Sequence, residues 1–208
     1  MITLLWLSFL LGLRHALDAD HVTTVVALSS RPLEVGQAVR IAGAWGIGHA
    51  VVMLAVGLAV VGFNIHFPPA IDRYVEGAAG LLLLVLGLDS LRRLRHRPGA
   101  AGHRGRHAGP HSADLLSKAL FIGGVHGLEG SATLAMMALP ALRSFGAVLT
   151  YLALFGLGSI VGMICCSLAL AWPLRRSMRT SFGARTISVV VGSVSVVLGS
   201  WIAVRASF

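Results

Sequence analysis

Within eight residues the chain places a guanidinium, two imidazoles and two carboxylates, at Arg14, His15, Asp18, Asp20 and His21. Imidazole beside carboxylate is the donor set of borderline first-row metals such as Ni, Co, Zn and Fe, whereas Cu(I) recruits thiols and thioethers and Mg an oxygen cage. On a regular helix His15, Asp18 and His21 fall within about a third of the circumference and Asp20 points nearly the opposite way. The spacing therefore predicts a face offering two imidazoles and one carboxylate to a cation. Asp20 is left to pair with Arg14, if the backbone deviates, or to orient a ligating histidine through its other ring nitrogen. His49 stands in Gly46-Ile47-Gly48-His49, where small residues let another helix come close. His126 and Glu129 lie one turn apart among Gly123, Gly124, Gly127 and Gly130, with Ser131 and Thr133 following. Such glycine density predicts either a helix broken to expose its carbonyls or close helix packing around an internal His126–Glu129 pair. The candidate metal ligands are thus His15, Asp18, Asp20, His21, His49, His126 and Glu129. No catalytic constellation and no resident cofactor is expected.

The elements that must hold these residues are apolar. Hydrophobic residues make up 56% of the 208-residue chain and charged residues 12%, with a mean hydropathy of +0.82. That is too apolar for a soluble domain and predicts an all-helical polytopic membrane protein. Each Asp or Arg at the centre of a membrane helix costs roughly 2.5–3.5 kcal/mol, so a cluster there marks function. Six transmembrane helices are expected, at roughly 2–28, 38–62, 72–91, 115–140, 147–172 and 186–205. The first reads as a retained helix, not a signal peptide. Short loops such as Ser29-Ser30-Arg31-Pro32-Leu33-Glu34 predict that successive helices are antiparallel neighbours. Residues 92–114, rich in Arg, His, Gly and Pro, read as a basic cytoplasmic linker. Its histidines His103, His107 and His111 could collect metal, although Gly and Pro argue against a helix that would align them.

Loop charge sets orientation. Arg31, Arg40, the linker and Arg175, Arg176, Arg179 and Arg185 share one side if six helices alternate, and that side is the cytoplasm, with both termini outside. The net charge of +9 thus reports topology and anionic lipid, not nucleic acid. Cys165 and Cys166 are adjacent in an apolar run and suggest neither disulfide nor ligand, and Met53 and Met163 read as core. The chain has no phosphate-binding loop around Lys118, its only lysine.

The two ends of the chain resemble each other. Placing His15 on His126 sets His15-Ala-Leu-Asp18 over His126-Gly-Leu-Glu129, Gly46-Ile-Gly48-His49 over Gly156-Leu-Gly158-Ser159, and Gly80 with Gly87 over Gly192 with Gly199. All three offsets fall near 111 residues, as a duplication requires. A single 1–208 permease domain is therefore expected, made of a three-helix repeat at 1–91, the linker, and a second repeat at 115–208. Three helices each, in opposite orientation, make an inverted repeat, an arrangement common among secondary transporters.

The run Arg14-His15-Ala-Leu-Asp18-Ala-Asp20-His21-Val resembles the His-x4-Asp-His signature of the nickel/cobalt transporter family, and Gly48-His49-Ala-Val-Val resembles that family's next-helix Gly-His motif. The resemblance implies a bacterial inner-membrane permease importing Ni2+ or Co2+ for metalloenzymes such as urease or hydrogenase. It also implies that His15, Asp20, His21 and His49 are needed for uptake; His126 joins them only through the repeat. Ala50 stands where that family usually has Ser or Thr, a leading helix before the signature is missing, and the Asp-Thr motifs of longer members are absent. In their place His126-Gly-Leu-Glu129-Gly-Ser131-Ala is similar to the short, urease-accessory branch.

The expected partners are the lipid bilayer, the metal ion as substrate and a cytoplasmic metallochaperone, with oligomeric state left open. A Ni/Co efflux permease would share this chemistry. A small-anion exporter would have Arg14 alone as its cationic donor, and a membrane-embedded metalloprotein would use Asp20 and His21. Imidazole ligates only when neutral, so uptake is expected to fall as external pH drops below about 6.5. Initial rates of labelled-metal uptake test this, and a flat profile between pH 5 and 8 would count against histidine ligation.

Overall fold

The computed structural model describes residues 2–29, 34–63, 68–95, 112–129, 144–177 and 180–207. Seven helices occupy them: α1 (Ile2–His15), α2 (Ala19–Ser29), α3 (Val35–Phe63), α4 (Pro69–Arg95), α5 (Ser112–Leu128), α6 (Phe145–Ser177) and α7 (Ser181–Arg205). Four of these contain stretches long and apolar enough to cross a membrane, at Val35–Phe63, Ala70–Arg92, Phe145–Ala171 and Arg185–Arg205. Large apolar side chains such as Trp6, Phe63, Phe121, Val197 and Trp201 face outward, at 65–80% exposure. An apolar exterior on long helices is that of a polytopic membrane protein, whose solvent is lipid.

The expected first span, 2–28, is not one helix. Leu17 N–H bonds the Arg14 carbonyl at 2.9 Å and Asp18 N–H that of His15 at 3.0 Å, three-residue bonds that tighten and end α1. The Asp18 carbonyl then accepts Val22 N–H at 2.9 Å and starts α2. Charge explains the position of the break. Arg14 and His15 lie in the last turn of α1 and Asp20 in the first turn of α2, each sign matching the dipole end beside it. The expected span at 115–140 begins as α5, which ends at Leu128 and is followed by Glu129 in a turn; from Gly130 on, with Ser131 and Thr133, that span lies outside the described residues. So does most of the linker, because α4 continues to Arg95 and α5 begins at Ser112.

Nor are successive helices the main packing partners, as short loops led us to expect. The extensive contacts pair α1 with α6, α3 with α5 and with α6, and α4 with α7. Glycine is the reason. A methyl group on Gly12 would stand 2.0 Å from the Phe155 carbonyl oxygen, and one on Gly158 would stand 2.1 Å from that of Phe9. Between α3 and α5, a methyl group on Gly48 would collide with the Leu120 carbonyl and one on Gly123 with that of Trp45. Backbones packed this closely gain dispersion and Cα–H···O contacts, which matter where lipid offers no hydrophobic drive between helices.

These contacts also give direction. Residue numbers rise together along α1 and α6 and along α3 and α5, so each pair is parallel. Gly80 lies against Gly199 and Gly87 against Gly192, so α4 and α7 are antiparallel. Gly46 against Ile160 and Gly156 against Ala50 make α3 and α6 antiparallel as well. The central packing is apolar, with Trp45, Met53, Leu83, Leu152 and Met163 fully buried.

Gly123→Val and Gly158→Val should each force two backbones apart and destabilise the fold by about 1–3 kcal/mol or more. Gly146→Ala, with nothing within 4 Å of the added methyl, should be neutral. Thermal unfolding in detergent checks this; equal stability of all three variants would refute the packing argument.

Candidate metal centre

The break between α1 and α2 brings four histidines around one point. His15 ends α1, His21 lies in the first turn of α2, His49 is midway along α3 and His126 is near the end of α5. The His15 and His21 rings stand edge to face with centroids 4.5 Å apart, His15 and His49 are 5.3 Å apart, and His21 and His49 5.2 Å. Each of these three offers a ring nitrogen, and the three nitrogens lie within 4.8 Å of one another. A cation holding nitrogens at 2.0–2.1 Å in tetrahedral or octahedral geometry needs them about 3.0–3.4 Å apart. Ligation would therefore draw the rings inward.

Burial makes the triad unusual. His21 and His49 are 2% and 1% exposed, and none of their ring nitrogens makes a hydrogen bond to the protein. Buried polar atoms are nearly always paired, because an unpaired one costs about 1–3 kcal/mol. Only the Asp20 carboxylate, 2.8 Å from His21 Nδ1, stands beside one of these four nitrogens, and the other three converge with no protein partner. His15 is the more open member, with 23% of its side chain exposed.

Both aspartates flank the triad, and here the regular-helix reading needs correction. It put Asp18 on the histidine face and Asp20 opposite. With the helix interrupted, each carboxylate reaches an imidazole: Asp18 Oδ2 pairs with His15 Nδ1 at 2.8 Å, and Asp20 Oδ2 lies 2.8 Å from His21 Nδ1. A carboxylate on one ring nitrogen fixes the ring and leaves the other nitrogen as donor. When ionised the two also supply two negative charges opposite a dication, limiting the cost of holding it in a low dielectric. Arg14 is exposed and pairs with neither among the described residues.

His126 is adjacent but differently engaged. Its ring is 5.7 Å from that of His21. Nδ1–H donates to the Ile122 carbonyl at 3.2 Å, which leaves Nε2 to accept the Thr24 hydroxyl at 3.4 Å. Glu129 follows in the turn that ends α5, its N–H on the His126 carbonyl at 3.1 Å. Its Oε2 is buried without a hydrogen-bond partner, and no His126–Glu129 ion pair forms. Gly123 and Gly127 serve close packing against α3, Gly127 lying directly on the His49 backbone.

Three residues at the centre carry no charge and were not singled out from sequence. Trp45 is fully buried with rings 5.4 Å from His21 and 6.1 Å from His126, Thr24 holds His126, and Phe155 lies 5.4 Å from His15. Spacing carried a faint signal, since Trp45 is one turn before His49 and Thr24 one turn after His21. Ser159, which the repeat aligns with His49, bonds its own helix at the Phe155 carbonyl, 3.0 Å away.

Comparison with known proteins finds one similar curated protein, the urease accessory protein UreH of Bacillus sp. (strain TB-90), 24% identical over 209 residues that cover 96% of this chain and 90% of that protein. No family model matches the chain, and no solved structure matches it.

Asp20→Asn keeps the size of the side chain but removes the charge that orients His21, and should weaken Co2+ or Ni2+ binding about 10–100-fold. Ser159→Ala should leave binding within about twofold. Calorimetric titration of the detergent-solubilised chain tests both; unchanged affinity in Asp20→Asn would remove Asp20 from the centre.

Proposed function

We propose that this chain is an ATP-independent permease that imports a divalent transition metal, Ni2+ before Co2+, through the imidazole triad. The observation that carries the proposal is the convergence of His15, His21 and His49 nitrogens inside apolar helices, with the rings of His21 and His49 buried and making no hydrogen bond to the protein. A structural core has no use for such a set, and a soft or hard cation would not select it. Similarity to a urease accessory protein across nearly the whole chain supports nickel, since urease is among the metalloenzymes that such permeases supply.

The permease would lie in a bacterial inner membrane as two inverted three-helix halves joined by the basic linker, with both termini outside. Reciprocity of the glycine contacts supports that symmetry. Gly12 on α6 and Gly158 on α1 answer Gly123 on α3 and Gly48 on α5, each position displaced by the repeat. Parallel α1 and α6, parallel α3 and α5, and antiparallel α4 and α7 are the relations that inversion requires.

Import needs no nucleotide. A membrane potential of 100 mV contributes about 2.3 kcal/mol per charge, hence about 4.6 kcal/mol for a dication, enough for accumulation on the order of 10³-fold. Cells expressing the protein should accumulate labelled nickel in preference to cobalt and zinc. His21→Ala and His49→Ala at normal expression should lower uptake at least tenfold. Unimpaired uptake by His21→Ala would refute the site, and metal loss from expressing cells would reverse the direction.

A further inference from the structure

The second half of the chain holds an ionisable pair that the triad leaves unused. His126 and Glu129 repeat the spacing of His15 and Asp18, and the backbone repeats too: Asp18 N–H bonds the His15 carbonyl at 3.0 Å, and Glu129 N–H bonds the His126 carbonyl at 3.1 Å. The side chains differ. His15 and Asp18 are joined at 2.8 Å, whereas Glu129 keeps a buried, unpartnered oxygen and His126 rests its free nitrogen on Thr24 through a long 3.4 Å bond. A carboxylate oxygen buried without a donor calls for a cation or a proton. A long hydroxyl contact is easily displaced.

We propose that His126 Nε2, the Glu129 carboxylate and the Thr24 hydroxyl form a second station for the same transition-metal ion, occupied in turn with the triad. The inference rests on the transport reading given above. The imidazole series carries it: the His126 ring lies 5.7 Å from His21, as near as the triad rings lie to one another within an ångström or so. An ion leaving His21 would meet His126 Nε2 in place of the Thr24 hydroxyl, and Glu129 would supply the negative charge that Asp18 and Asp20 supply at the triad. Three carboxylates, Asp18, Asp20 and Glu129, cannot neutralise the four charges of two dications in a low dielectric, which disfavours double occupancy. One ion therefore moves between the stations, and its exchange of ligands is a step of translocation.

Titration of the full-length purified chain with Co2+, followed by its visible absorption and by equilibrium dialysis, should show one ion per chain at saturation. His21→Ala should retain a weaker site, by about 100-fold, which disappears when Glu129→Gln or His126→Asn is added. In uptake assays Glu129→Gln should lower the maximal rate at least tenfold with KM changed less than threefold, and Glu129→Asp should restore part of the rate. Wild-type uptake by Glu129→Gln, residual His21→Ala binding that persists without Glu129 and His126, or two ions bound at once would overturn the second station. If His21→Ala binds and transports as the wild type does, the triad itself is wrong; if only the Glu129 and His126 variants are silent, the triad stands and the second station falls.

Discussion

Backbone lying on backbone at a few glycines is the contact on which the rest of the molecule depends. Gly48 precedes His49, and Gly162 lies over Ala16, the residue after His15. The clustered histidine side chains therefore grow from tightly apposed stretches of chain, where a methyl group has no room. Positions so fixed do not drift with the rotamers of neighbouring side chains. Within lipid, where apolar side chains gain nothing by leaving one apolar medium for another, shape at this scale is what holds helices together. Trp45 illustrates the economy: its carbonyl meets Gly123, its ring lines the histidine cluster, and it is fully buried.

Charge does the complementary work at the break. A continuous first helix would scatter Asp18 and Asp20 to different faces. Stopping at His15 and restarting at Ala19 lets both carboxylates reach imidazoles, and the charges that serve the site also stabilise the helix ends that create it. The same residues are thus both the reason for the interruption and its beneficiaries. Regular backbone could not place two carboxylates and two imidazoles of one short segment around a single point.

The cluster was legible in sequence because ionisable residues in an apolar run are costly, and because their types limit the chemistry. Helical periodicity misjudged Asp20, since it assumes an unbroken helix, although a basic end followed by an acidic start was there to be read in Arg14-His15 and Asp18-Ala19-Asp20. Pairing of helices was hidden for another reason. Loop length speaks only of neighbours in sequence, whereas the complementary surfaces are glycine faces more than a hundred residues apart in the case of α1 and α6. Thr24 and Trp45 were missed because their roles exist only across such contacts: the Thr24 hydroxyl meets a ring 102 positions later. The membrane class and most helix positions needed only composition and length.

The parallel pairing of α1 with α6 has a bearing on how the protein is made. Ser8 donates to the Tyr151 carbonyl 143 residues further along, so the first helix leaves the ribosome long before its partner exists. Until α5 and α6 are inserted, Gly12 has no surface to lie on and His49 lacks the helix that closes over it. A half-synthesised chain thus carries His15, His21 and His49 but not His126 or the helices that pack around them. The geometry that gathers the histidines is complete only once the later helices stand in the bilayer beside the first ones.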